Sequence, residues 1–144
     1  MRNRFDLERF VEAQNSGGSY DLAVSELEFG RKTSHWMWFV FPQIAGLGHS
    51  AMSKLYAIRS LDEAKAYLEH PVLAPRLLEV AGLVAGIRGV TAESIFGSID
   101  ASKLRSSMTL FLRAAPVEPV FSQVLGLYFE GRTDPQTDRL IGSD

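Results

Sequence analysis

Apolar positions recur every three to four residues along almost the whole chain, the signature of amphipathic helices, and strict two-residue alternation is scarce. Between Phe5 and Gln14, the residues Leu7, Phe10, Val11 and Gln14 fall on one helical face, with Asp6 and Glu8 at the end where a helix dipole favours negative charge. Asn15-Ser16-Gly17-Gly18 stops that helix. Ser19 is placed to cap a second helix, in which Tyr20, Val24 and Leu27 share a face, and Gly30 supplies its left-handed end. Ser34 can then cap a short helix from His35 to Phe41. Pro42 would end it, because the residue before proline avoids the α region; a buried strand is the competing reading.

Gly46-Leu47-Gly48 reads as a turn, and Ser50 as the cap of a helix carrying Met52, Leu55 and Tyr56. Ser60-Leu61-Asp62-Glu63 fits a capping box that opens a helix to His70. After the His70-Pro71 junction, Val72, Leu73, Leu77, Val80, Leu83, Val84 and Ile87 form a wide apolar face, and Gly82 and Gly86 would let a neighbouring helix approach closely. Thr91 can cap a short turn to Phe96 closed by Gly97. Asp100 can cap a longer helix through Leu104, Met108, Phe111, Leu112 and Ala115, ended by Pro116. Glu118-Pro119 opens another helix, with Phe121, Val124, Leu125 and Tyr128 on one side and Gly131 at its end, and Asp134-Pro135 marks a last helix start. The pattern predicts an all-α fold: one domain, residues 1–144, of seven or eight helices, several of them short.

A chain of 144 residues suits one core. Its 46% apolar residues and formal charge of -2 describe a soluble globular protein, and without a basic excess nucleic-acid binding is disfavoured. The absence of cysteine removes disulfides, thiolate zinc sites and a cysteine nucleophile. No secretory signal follows Met1-Arg2-Asn3-Arg4, and the apolar runs 36–41 and 80–87 are too short to span a bilayer, so a cytoplasmic location with no membrane partner is expected.

Chemistry concentrates in one stretch. Gly30 to Gln43 holds Arg31, Lys32, Ser34, His35, Trp36, Trp38 and Gln43, including both tryptophans of the chain. Arg31 and Lys32 lie just before an expected helix start at Ser34, where free amides and the dipole make an anion site that a guanidinium would sharpen. His35 could carry a proton near neutral pH. Trp36 or Trp38 could stack on a planar ring, and Gln43 could hydrogen-bond an amide or a base edge. The plain alternative is that Gly30-Arg31-Lys32 is a solvated helix end and both indoles are core. Glu26 and Glu28 could supply a carboxylate but are more simply solvated. Tyr56, Arg59, Asp100 and Lys103 are weaker candidates.

Other motifs carry less. Gly46-Leu47-Gly48-His49-Ser50-Ala51 matches the form of a dinucleotide-binding turn, yet no parallel sheet accompanies it, and a plain turn is favoured. His35, His49 and His70 show no metal-ligand spacing, and no nucleophile elbow surrounds Ser106 or Ser107, so neither a metal nor a cofactor is implied.

The residues also resemble a family. Phe5-Asp6-Leu7-Glu8-Arg9-Phe10, Gly30-Arg31-Lys32 with Ser34-His35-Trp36-Met37-Trp38-Phe39, Phe41-Pro42-Gln43, Gly46-Leu47-Gly48, His70-Pro71-Val72-Leu73, Ile95-Phe96-Gly97 and Leu104-Arg105-Ser106-Ser107-Met108-Thr109-Leu110-Phe111 are similar to a bacterial domain-of-unknown-function family, some of whose members carry the label calpastatin. The resemblance implies an all-α domain and carries over no activity. Protease inhibition is not supported, because the calpain inhibitor is disordered and this composition is not.

Two functions compete. In the first, Arg31 and Lys32 hold a small anionic or nucleotide-like ligand, an indole stacks on it and His35 handles protons, with N-glycosidic hydrolysis of an ADP-ribose-like substrate as the concrete reaction. In the second, the aromatic stretch is the exposed patch of a non-catalytic interaction domain. Indoles lining a hollow favour the first, and indoles on a convex surface the second.

Overall fold

The structure, a computed structural model, describes residues 5–142. Ten α-helical segments appear among the described residues: α1 (Glu8–Asn15), α2 (Ser19–Phe29), α3 (Met37–Val40), α4 (Ala51–Leu55), α5 (Leu61–Tyr67), α6 (Leu73–Gly86), α7 (Ala92–Phe96), α8 (Ser98–Ala114), α9 (Pro119–Phe129) and α10 (Pro135–Gly142). The fold is all-α, with more and shorter helices than the seven or eight expected. The start and end of the chain, including the Arg2 and Arg4 cations, lie outside the described residues.

α8 is the axle. It packs against α5, α7, α9 and α10, while α6 bridges α2 and α9. Every residue from Ser106 to Phe111 is buried, so this helix is enclosed all round where the sequence pattern marked a single face. The hydroxyls carried inside with it are mostly satisfied locally: Ser106 Oγ donates to Ser102 O and Thr109 Oγ1 to Arg105 O, each one turn back. α1 packs on α2 and on α3.

Local chemistry explains most boundaries. Gly30 ends α2 in the left-handed region (φ 91°), and Ser50, Ser60 and Thr91 each accept the backbone N–H three residues on, capping α4, α5 and α7. Only half of the capping box forms: the Glu63 carboxylate accepts from the N–H of Arg59, not from that of Ser60. Pro119 stands in the first turn of α9 and Asp134 caps α10 through Thr137 N, 3.1 Å away.

Three expected caps are corrected. Ser19 is the first residue of α2, behind Gly18, and its hydroxyl donates back to Ser16 O at 2.7 Å. The other two are claimed by tertiary contacts. Ser34 caps nothing; α3 starts three residues later, after Trp36, with no side-chain cap, because Ser34 faces Glu26. Asp100 lies inside the first turn of α8, which opens at Ser98 after Gly97, and its carboxylate pairs with Lys32.

The segment after α3 is extended. Phe41, before Pro42, has left the helix (φ -124°, ψ 75°). Residues 43–45 then run beside 57–58 in an isolated parallel bridge between Ile44 and Ile58, with Ile58 N donating to Gln43 O and Ala45 N to Ile58 O, each at 2.8 Å. This short pairing brings the loop 43–48 against the segment that follows α4.

Candidate functional site

The stretch 30–43 divides at Met37, and its polar atoms do not converge on one hollow. In the first half the groups read as an anion site do bind an anion, and it belongs to the protein. The Glu26 carboxylate accepts from Thr33 N (2.8 Å), Ser34 N (3.0 Å), Ser34 Oγ and Trp36 Nε1 (2.9 Å). Glu26 is buried, against the expectation of a solvated helix carboxylate. Burial by itself would push its carboxyl up, but the donations from Ser34, Thr33 and Trp36 outweigh that and hold it near about 2, against an ordinary 4.5.

The neighbouring candidates are engaged in the same way. Trp36 is 1% exposed, packed between Phe41 and Phe96, and offers no face to a ligand. The Lys32 ammonium lies 2.7 Å from Asp100, donates to Ser34 O at 2.6 Å and sits over the Trp36 ring. Arg31 and His35 are exposed. Arg31 lines a separate shallow surface beside Glu28 and Phe29, while His35 lines none of the hollows described here.

The second half turns the other way. In α3 the side chains of Met37, Phe39 and Val40 go into the core. Trp38, the remaining position of that single turn, emerges half-buried into a hollow of about 250 Å³. Gln43, Gly48, Lys54, Tyr56 and Arg59 line it with Trp38. Tyr56 is set by edge-on packing against Phe39, with ring centres 5.4 Å apart. The side chains of Lys54 and Arg59 make no ion pair or hydrogen bond, and no acidic side chain lines the hollow, among the described residues. Two cations and an aromatic pair thus face a space with no counter-charge.

The floor is fixed from below by Arg9, whose guanidinium uses all five N–H groups. It donates to Leu55 O, Phe5 O, Asp6 O, Ala57 O and the Glu63 carboxylate at 2.7–2.9 Å. Glu63 is wholly buried and also takes the N–H of Arg59 at 3.0 Å. A buried ion pair of this kind adds little net stability over apolar packing, but it orients the chain at 55–59 in one way.

The glycine turn that matched a dinucleotide pattern has a local cause. A Cβ at Gly48 would stand 2.4 Å from Ser53 Oγ, so glycine is needed for α4 to close on the loop, and Gly46 is held at φ 105°. A second hollow, of about 380 Å³, shares Gln43 and Gly48 with the first and is lined beyond them by Ser102, Lys103, Asp134 and Gln136. Lys103 also lies over the Trp38 ring, 5.3 Å from its centre.

A family model described as a protein of unknown function (DUF1810) matches residues 4–141. The chain belongs to the DUF1810 family. Among solved structures, the conserved hypothetical protein Rv1873 from Mycobacterium tuberculosis is 49% identical, with the alignment covering 97% of this chain and 99% of that one at a TM-score of 0.94. Curated proteins give no match. Membership in DUF1810 therefore fixes the fold without supplying a reaction, and the chemistry must be read from the side chains. Of the residues around the hollows, sequence spacing singled out Trp38 and Gln43 and gave lesser weight to Tyr56, Arg59 and Lys103. It missed Lys54, Arg9 and Asp134, whose roles exist only once the 43–45 and 57–58 segments pair and α10 docks on α8. Among the described residues no helix is long and apolar enough to cross a membrane.

Proposed function

We propose that the hollow between Trp38, Gln43, Lys54, Tyr56 and Arg59 binds a small anionic, nucleotide-like ligand. The observation that carries this reading is the uncompensated charge: Lys54 and Arg59 have no counter-ion among the described residues, whereas Lys32, close in sequence to Trp38, is paired with Asp100. A phosphate answers the two cations, with the guanidinium able to grip it bidentately. The aromatic edge of Trp38 and Tyr56 suits a planar ring, and the amide of Gln43 suits its hydrogen-bonding edge. The volume sits near the lower end of the roughly 300–1,000 Å³ usual for ligand sites, which favours a mononucleotide-sized occupant.

Binding, not N-glycosidic hydrolysis, is what this geometry supports, because hydrolysis needs a positioned acid or base at the reacting carbon. His35 lies outside the hollow and no carboxylate enters it, among the described residues. The alternative of a non-catalytic interaction domain draws support from a different place: Phe29, 87% exposed at the end of α2 near Arg31. One exposed ring is ordinary on a protein surface, so this reading ranks second.

A thermal-shift titration with adenosine 5′-monophosphate tests the site. The wild type is expected to melt higher as the nucleotide saturates, by linkage worth about 2.7 kcal/mol at a hundredfold excess over Kd. The double variant Lys54→Ala, Arg59→Ala is expected to lose that response while keeping its own melting temperature. An unresponsive wild type would sink the proposal.

A further inference from the structure

We infer that the two hollows are halves of one site and that the occupant is a nucleoside diphosphate carrying a sugar with a free vicinal diol. This rests on the mononucleotide reading of the first hollow and extends it. Three observations lead there. The hollows share Gln43 and Gly48 in their linings, and Gly48 contributes only main chain there. Lys103 links them: it lines the second hollow, and its ammonium lies over the ring of Trp38, which lines the first. The second hollow, unlike the first, contains a carboxylate.

The charges order the parts of such a ligand. Asp100 sits 2.7 Å from the Lys32 ammonium and 3.8 Å from that of Lys103, so one carboxylate faces two cations and the closer contact goes to Lys32. Lys103 is left with positive charge at the junction, where a second phosphate of a ligand running from one hollow to the other would pass. Beyond it lies Asp134. One of its carboxylate oxygens, Oδ2, accepts from Thr137 N and Thr137 Oγ1 and lies 3.0 Å from Ser106 Oγ, which fixes the group in place. The other oxygen, Oδ1, accepts no hydrogen bond among the described residues. A fixed carboxylate with a free oxygen is an acceptor for a sugar hydroxyl, and the Ser102 hydroxyl and Gln136 amide beside it add donors and acceptors for the second hydroxyl of a diol. A second anionic group would be repelled there. The first hollow thus favours a base and phosphate, the junction a second phosphate, and the far end a neutral polyhydroxyl group.

Isothermal titration calorimetry with adenosine 5′-monophosphate, adenosine 5′-diphosphate and ADP-ribose separates these parts. Affinity is expected to rise in that order, with ADP-ribose at least tenfold tighter than the diphosphate. Ile99→Trp, at an exposed position on α8 that lines the second hollow, is expected to fill it without removing any polar contact of the site. It is expected to erase the ADP-ribose advantage and leave monophosphate binding unchanged, and Gln136→Tyr, on α10, provides an independent block. If ADP-ribose binds no tighter than the diphosphate, or if both blocked variants retain its full affinity, the two-part site is overturned while the mononucleotide site stands. If the wild type binds none of the three, both readings fall.

Discussion

Two anion-ready regions that meet at α3 differ in one respect: whether the protein supplies the opposite charge. Around positions 26–36, amides, a hydroxyl and an indole N–H close on Glu26, and Lys32 closes on Asp100. Around Trp38, the Lys54 and Arg59 cations are left open. Donor-rich chemistry alone would assign function to both regions. The comparison teaches that the anion already present decides, since a carboxylate meeting four donors is a fold contact and cations without one are an invitation to a ligand.

The sharpest break of this contrast uses the two indoles. Trp36→Ala removes a fully buried ring and its bond to Glu26, and is expected to cost about 3–5 kcal/mol in chemical denaturation. Trp38→Ala, at the hollow, should cost no more than about 1–2 kcal/mol and instead abolish nucleotide-dependent stabilisation. Equal losses from the two variants would dissolve the distinction.

Next comes the internal anion. Glu26→Gln leaves donors facing a neutral group and is expected to lower stability by about 2–3 kcal/mol at pH 7. The sign of its pH dependence follows from a carboxyl held down: the contribution is complete above 4.5 and is lost as pH falls through about 2. Acid unfolding followed by circular dichroism should therefore be shallower for Glu26→Gln than for wild type between those limits, and parallel curves would count against the nest.

On the open side, Arg59→Glu reverses an unpaired charge and should alter stability by no more than about 0.5 kcal/mol, while weakening nucleotide binding at least tenfold in calorimetry. The smallest effect is expected from His35→Ala. Its ring is exposed and outside the hollow, so melting temperature and nucleotide affinity should both match wild type; a drop in affinity would return His35 to the site.

How much of this could be read from the chain follows from the range of each interaction. Gly30, Ser50, Thr91 and Pro119 act within a turn of where they stand, so their roles were legible. Ser34 and Asp100 have equally good capping chemistry, yet partners from α2 and from the 30–36 stretch claimed them, and no local pattern reports a partner eight or sixty-eight residues away. The site shows the same division. Trp38 and Gln43 stood out by type, but Lys54 and Arg59 are two surface cations like many others until the Ile44–Ile58 pairing brings them to the same hollow as an indole. Arg9, on the first helix, gives no sign in sequence that it will hold carbonyls of residues 55 and 57.

The missing methyl at Gly48 reaches further than the turn it permits. Where Gly48 borders both compartments it presents only main chain, so at that point no rotamer has to be frozen for a guest to cross. The loop is instead tied by the paired amides at 43–45 and 57–58, with Ser53 lodged against it. Such a passage is preorganised, so the entropy of arrival falls on the ligand and hardly on the wall, and affinity can rise without more contact area.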